Sequence, residues 1–342
     1  MIRRVAAIDC GTNSLRLLIA DADPASHQLV DVQRRMEIVR LGQGVDATGV
    51  LAPDALARTF HVLAEYASEI REAGATRVRM VATSATRDAR NAADFTHGVQ
   101  ETLGITPEVV SGGEEALLSF AGATTELAGL GADSDAGVDP DAGVDPDAGA
   151  DRGAWAPPYL VVDIGGGSTE FVLGGGQGGD LASVADGLTA ISVDIGCVRL
   201  TERHLHSDPP TEAEIKGAAA DIDDALETVA IAIPVASAQT LVGLAGSVTT
   251  VAAIALGLSE YDPGRTHHAR ISADAVHAVT TELLAATRRE RAAIGSMHPG
   301  RVDVIGAGAL VLAEVMRRFG FAEVITSEHD ILDGVAWSIA SD

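Results

Sequence analysis

The residues best equipped for chemistry in this chain lie in two short loops of similar make-up, Asp9-Cys10-Gly11-Thr12-Asn13-Ser14 and Asp163-Ile164-Gly165-Gly166-Gly167-Ser168-Thr169. Each follows an apolar run that reads as a β-strand. An aspartate at a strand end can hold Mg²⁺ directly or through water, glycines let backbone N–H groups approach an anion closely, and hydroxyls complete the cradle. One strand followed by a glycine-rich turn is common structural punctuation. The repetition carries the weight: it predicts one phosphate-handling cleft assembled from two halves.

Further clusters have the same flavour. Arg16 follows the first loop and is either a surface charge or a cleft residue; Arg40, beside Gly42 and Gly44, is either an anion contact or part of a plain loop. Thr83-Ser84-Ala85-Thr86-Arg87 begins at a strand end and runs into a helix, the place where an anion binds a helix N-terminus. Helix capping explains one hydroxyl there, not three with an arginine. In Ser111-Gly112-Gly113-Glu114-Glu115-Ala116 the glutamates either complement the dipole of a new helix or orient an attacking water. Gly243-Leu244-Ala245-Gly246-Ser247-Val248-Thr249-Thr250 opens another helix with glycine and hydroxyls, as a phosphate cradle or as tight packing on a sheet. His267, His268 and His329 have no carboxylate or cysteine partners at zinc-ligand spacing. Neither a Gly-x-Ser-x-Gly elbow nor a Walker loop is present.

The elements that must position these groups alternate strand and helix. Val5–Ile8 and Arg16–Asp21 form a predicted strand pair around the first loop, followed by the segment Gln28–Val39. A helix over Pro53–Ala73, a strand Arg77–Ala82, a helix Asn91–Leu103 and a strand Thr106–Val110 come next. The theme restarts with Tyr159–Asp163, the second loop and Glu170–Gly174, then a strand and glycine turn over Thr240–Thr250. This is a duplicated α/β arrangement with the cleft between its halves, where such folds bind ligands. Between the halves, residues 131–153 repeat Asp-Ala-Gly-Val-Asp-Pro and read as a disordered acidic surface loop matching no Ca²⁺-binding pattern.

Composition narrows the partners. A net charge of -25 argues against nucleic acid, and Lys216 is the only lysine, so arginine must carry anion recognition with Mg²⁺ neutralising the substrate. The seven aspartates of the repeat inflate that charge. Cys10 and Cys197 supply no disulfide framework and fit a reducing compartment. No stretch approaches the roughly 18 uninterrupted apolar residues of a membrane helix, so a soluble cytoplasmic protein is expected.

In order, Asp9-x-Gly-Thr-Asn-Ser, Thr83-Ser-Ala-Thr-Arg-Asp-Ala-Arg-Asn, Ser111-Gly-x-Glu-Glu-Ala, Asp163-Ile-Gly-Gly-Gly-Ser-Thr-Glu, Gly196-Cys-Val and Gly246-Ser-Val-Thr-Thr resemble the exopolyphosphatase and guanosine pentaphosphate phosphohydrolase family. The likeness covers nearly the whole chain outside the acidic insert. It implies two ribonuclease H-like domains of the actin, sugar kinase and Hsp70 superfamily, over residues 1–120 and 154–342, with an interdomain active-site cleft and a last helix able to pack back on the first domain. It also implies hydrolysis of terminal phosphoanhydride bonds with Mg²⁺ or Mn²⁺, releasing orthophosphate from polyphosphate or pppGpp, with a homodimer open.

Carried over by resemblance, Glu115 is the catalytic base and Glu114 its neighbour, while Asp9, Asp163 and Glu170 lie near the metal. Arg87 holds the terminal phosphate with Gly11, Thr12, Asn13 and Ser14, and with Gly165, Gly166, Gly167, Ser168 and Thr169; Gly246 and Ser247 add a further phosphate contact. Long family members carry an extra C-terminal helical domain that helps channel long polyphosphate. The sequence stops at Asp342, short of it, which favours shorter polyphosphate or pppGpp. A superfamily small-molecule kinase and a non-catalytic polyphosphate or alarmone sensor are the alternatives, the intact Glu115, Asp163 and Glu170 weighing against the sensor.

Overall fold

Strands β1 (Arg3–Cys10) and β2 (Ser14–Asp23) are apolar and buried along most of their length, as strands covered on both faces must be. They pair antiparallel across the first loop, with Asp9 opposite Arg16. The computed structural model describes residues 2–26, 28–124, 155–175 and 187–340; the acidic repeat expected as a surface loop lies outside them. Among the described residues no helix is long and apolar enough to cross a membrane.

The first sheet adds β3 (Gln28–Ile38) at one edge and β4 (Arg77–Ala82) and β5 (Glu108–Val109) at the other, in the order β3-β2-β1-β4-β5. The first three strands are antiparallel neighbours and the last two run parallel to β1. The second sheet contains β6 (Tyr159–Ile164), β7 (Thr169–Gly174), β8 (Thr189–Val193), β9 (Thr240–Leu244), β10 (Arg270–Ser272) and β11 (Glu323–Thr326), in the order β10-β11-β9-β6-β7-β8. Read from its other edge it repeats the first: antiparallel β8-β7-β6, then parallel β9 and β11, with β10 appended. The expected duplication is thus visible strand by strand. Parallel neighbours require crossovers, supplied in the first half by α1 (Pro53–Ala73) and in the second by long helices.

Helix α2 (Gly112–Thr124) joins the halves. Its Ala116, Phe120 and Ala123 pack with Tyr159, Val161 and Val172 of the second sheet, while Leu118 faces the first. Helix α3 (Ile331–Ala340), near the end of the chain, returns to the first sheet. There Ile331, Leu332, Val335 and Ala336 bury against Val5, Ala7, Leu18 and Ala20, each large aliphatic side chain contributing roughly 1.5–3 kcal/mol of apolar transfer. Backbones of α2 and α3 nearly touch: a side chain at Gly334 would sit 2.1 Å from the Leu118 carbonyl oxygen. Any substitution of Gly334 therefore forces the two helices apart.

Candidate active site

Four strand ends converge on one cleft, two from each sheet. The β1–β2 and β6–β7 turns supply Asp9, Gly11, Thr12, Asn13 and Ser14, and Asp163, Gly165, Gly166 and Ser168; the segments after β4 and β9 supply Thr83 and Ser84, and Ala245, Gly246 and Ser247. The two glycine loops touch. A side chain at Gly166 would meet Thr12 Cβ at 2.8 Å and one at Gly167 would meet Ser84 Oγ at 2.5 Å, which is why this approach demands glycine. Thr12 Oγ1 and Ser84 Oγ share a 2.8 Å hydrogen bond.

Both loops have their carbonyls drawn backwards. Gly42 N–H donates to Thr12 O and Arg40 N–H to Asn13 O; Cys197 N–H donates to Gly165 O and Val198 N–H to Gly166 O. Among the described residues no acceptor takes the N–H of Thr12, Asn13, Gly166, Gly167 or Ser168. Rows of such donors are anion-binding concavities. Ala245 adds backbone strain, with φ of 66° in a region that L-residues seldom occupy.

Buried carboxylates face these donors. Glu115 and Ser119 lie one turn apart on the same face of α2. Glu115 receives a hydrogen bond from Arg87 Nη1 at 3.1 Å, and Ser119 Oγ donates to Asp163 Oδ2 at 2.7 Å. Burial pushes the Glu115 pKa up to about 7 against the pull of Arg87. Burial, then the charge of Asp330, raises Asp163 to about 6. Glu170, opposite Asp163 on β7, accepts from Ser192 Oγ at 2.7 Å, and burial followed by Glu115 and Asp163 drives its pKa well up. Burial raises Asp9 too, although Arg16 Nη2 pairs with its Oδ2 at 2.7 Å.

Three arginines surround this acidic centre in different states. Arg16 lines the cleft but is engaged by both Asp9 and Asp330. Arg301 also lines it, half-buried with its guanidinium against Gly246 and Nη1 bonded to Thr250 Oγ1 at 3.0 Å. No carboxylate lies within ion-pair distance of it among the described residues, and burial pulls its pKa below the arginine range. Guanidinium nevertheless stays protonated in proteins, so Arg301 offers the cleft a charge. Arg87 is spent on Glu115 and the Val110 carbonyl and is absent from the cleft lining.

The residues expected from the sequence therefore sort as follows. Asp9, Gly11 to Ser14, Glu115, Asp163, Gly165, Gly166, Ser168, Gly246 and Ser247 line the cleft together. Gly167 supports it from behind against Thr12 and Ser84, Thr169 bonds the Ile195 carbonyl, and Glu170 is buried under the second loop. Glu114 points elsewhere, pairing with Arg79 at 3.3 Å, because successive helix residues lie about 100° apart and only one can face the cleft. Arg301, Asp330, Ser119 and Ser192 carried no sequence signal. Each reaches the site through packing between distant segments, and only the small Gly246 hints that something large lies against it.

Among the described residues no three His, Cys, Asp or Glu side chains form a closed metal cage. A Mg²⁺ site of the kind completed by water and substrate oxygens needs only one or two carboxylates. Asp9 Oδ1 suits it, being buried without a hydrogen-bond partner, and Asp163 lines the same cleft with a pKa raised by burial and then by the charge of Asp330.

Known proteins resemble this chain in sequence and in fold. The sequence model of the Ppx/GppA phosphatase family matches residues 18–133 and 153–342. "Exopolyphosphatase 2" of Mycobacterium tuberculosis is 46% identical over 350 residues, covering 99% of each chain. The crystal structure of an exopolyphosphatase-like protein superposes with a TM-score of 0.84 at 39% identity over 99% of each chain. An Aquifex aeolicus member of the Ppx/GppA family superposes with a TM-score of 0.72 at 30% identity, over 98% of this chain and 96% of that one.

Proposed function

This chain belongs to the Ppx/GppA phosphatase family, and from that premise we propose that it is an exopolyphosphatase, removing orthophosphate from the end of inorganic polyphosphate with Mg²⁺ as cofactor. Its two lobes share the actin-like two-domain fold of its structural neighbours. One observation carries the reading: Glu115, with a pKa near 7, faces two loops of uncommitted backbone N–H donors across a buried acidic centre. A kinase needs a base for an acceptor hydroxyl in a second subsite; a hydrolase needs a base for water at the terminal phosphate.

The terminal phosphoryl group seats between the N–H groups of Thr12 and Asn13 and those of Gly166, Gly167 and Ser168. Glu115 orients a water in line and takes its proton as the new P–O bond forms. The bridging P–O bond breaks, and the shortened chain leaves with its electron pair. The transition state is loose, with charge on the peripheral oxygens, so positioned donors do most of the work. Asp9 and Asp163 are the residues that would hold Mg²⁺, which neutralises phosphate charge and polarises the phosphoryl oxygens when bound. Arg87 stabilises the ionised form of Glu115. Arg301, with Gly246 and Ser247, extends the anion site beyond the first phosphate, the place for a further phosphate of polyphosphate or pppGpp.

The test offers the purified chain short polyphosphate, long polyphosphate, pppGpp and ATP with Mg²⁺ or Mn²⁺ and measures orthophosphate. Release from polyphosphate without any acceptor but water is expected; release that requires a second acceptor would mark a kinase instead.

A further inference from the structure

Gly196-Cys197-Val198 opens helix α4 (Cys197–His204), and the residue that follows it, Arg199, has no part in the chemistry above. It is nonetheless the most heavily engaged cation near the cleft. Its backbone N–H donates to Gly166 O at 3.1 Å and its Nε to Gly167 O at 2.7 Å, so it grips the second phosphate loop from behind. Its two terminal nitrogens cross to the other lobe, pairing with Asp46 at 2.5 Å and with Asp88. Asp194 of its own lobe lies 3.6 Å away. Asp46 follows the segment whose N–H groups hold the carbonyls of the first loop, and Asp88 ends the short helix that begins at Ser84. Neighbours on α4 reinforce the seam: Arg203 Nε bonds Asp46 at 2.7 Å, and Glu202 accepts from Gly44 N–H at 3.0 Å.

We propose that Arg199 is a positioning residue that couples the seating of the second phosphate loop to closure of the two lobes. One guanidinium fork holds a loop carbonyl and two carboxylates of the opposite lobe, so the loop is set correctly only when the lobes are together. Phosphate binds between loops from both lobes, and its apparent affinity scales with the fraction of molecules that are closed. A planar fork is required, which a lysine cannot supply.

This inference rests on the phosphate-hydrolysis reading, and the test separates the two. Asp46→Asn with Asp88→Asn removes the cross-lobe charges and spares the loop contact. The expected result is a KM raised about tenfold with kcat held within about twofold, the signature of a smaller closed population. Arg199→Ala should raise KM similarly and also lower kcat about tenfold, because the loop loses its anchor; Arg199→Lys should recover part of the KM but not the kcat. Small-angle scattering of the substrate-free proteins should show the Asp46/Asp88 variant more extended than wild type. An unchanged KM in that variant, or an unchanged kcat in Arg199→Ala, overturns the coupling. Should the wild-type chain release no phosphate at all, the hydrolase reading fails, and scattering alone decides the seam: equal dimensions for wild type and the Asp46/Asp88 variant overturn it.

Discussion

The two phosphate loops are built to one template and charged in opposite ways. In each hairpin an aspartate is the last residue but one of the strand, a glycine follows two residues later and a serine five residues later, and the same turn hydrogen bond closes it: Gly11 N–H to Ser14 O at 3.0 Å, Gly165 N–H to Ser168 O at 3.1 Å. The cross-strand partner of the aspartate is Arg16 in the first hairpin and Glu170 in the second. The first aspartate is therefore paired with a cation from its own hairpin, while the second lies opposite a carboxylate whose pKa burial, then Glu115 and Asp163, drive up. A duplicated backbone supplies a symmetrical pair of loops, and a difference at one register position gives the first aspartate a cation beside it and the second another carboxylate.

The largest test of this asymmetry is Glu115→Gln. Turnover should fall by about 10²-fold or more with KM little changed, the usual consequence of removing a general base; steady-state phosphate release measures it. The same variant should gain stability. The folded pKa of Glu115, about 7, lies above its ordinary 4.5, so the folded state binds the extra proton and wild-type stability falls as pH rises through that window. The advantage of the glutamine should be near zero at pH 4.5 and grow to at most about 3 kcal/mol above pH 7, read from metal-free denaturant melts.

Next come the two equivalent register positions, where the comparison can be broken outright. Arg16→Gln strands Asp9 and Asp330 without their shared cation and should cost about 3 kcal/mol, the scale for removing one partner of a largely buried ion pair. Glu170→Gln should instead be neutral or stabilising at pH 8, because it removes a carboxylate whose charge is disfavoured first by burial and then by Glu115 and Asp163. Stability changes of the same sign would show that the hairpins are not electrostatic opposites. The smallest effect belongs to Arg87→Ala. With Glu115 as the base, turnover should rise with pH as it ionises, and loss of the arginine that favours the ionised form should move that limb upward by about one pH unit.

What the sequence revealed and what it hid divide along the range of the interactions. The hairpins were legible because their spacing is enforced by hydrogen bonds five residues long or less, and the helix at Pro53–Ala73 and strand at Arg77–Ala82 appear where the hydrophobic period puts them. Arg301 and Asp330 were not, since Arg16 and Asp330 meet across 314 residues and no local pattern anticipates that. Arg87 shows the intermediate case. Its presence beside the cleft was readable, but its direction is decided by the Val110 carbonyl and Glu115, both contributed by a later stretch of chain.

The return of α3 to the first sheet sets an order of manufacture. Val5, Ala7, Leu18 and Ala20 leave the ribosome early, yet the residues that cover them, Ile331 to Ala340, are made after the whole second lobe. At 5–20 residues per second that leaves the apolar face waiting roughly 15–60 s. The first lobe is begun first and finished last, so a nascent chain must shield this face by transient contacts or a chaperone. Loss of Ile331 to Ala340 would injure the amino-terminal sheet, whose face they cover, more than the second lobe, which is made before them.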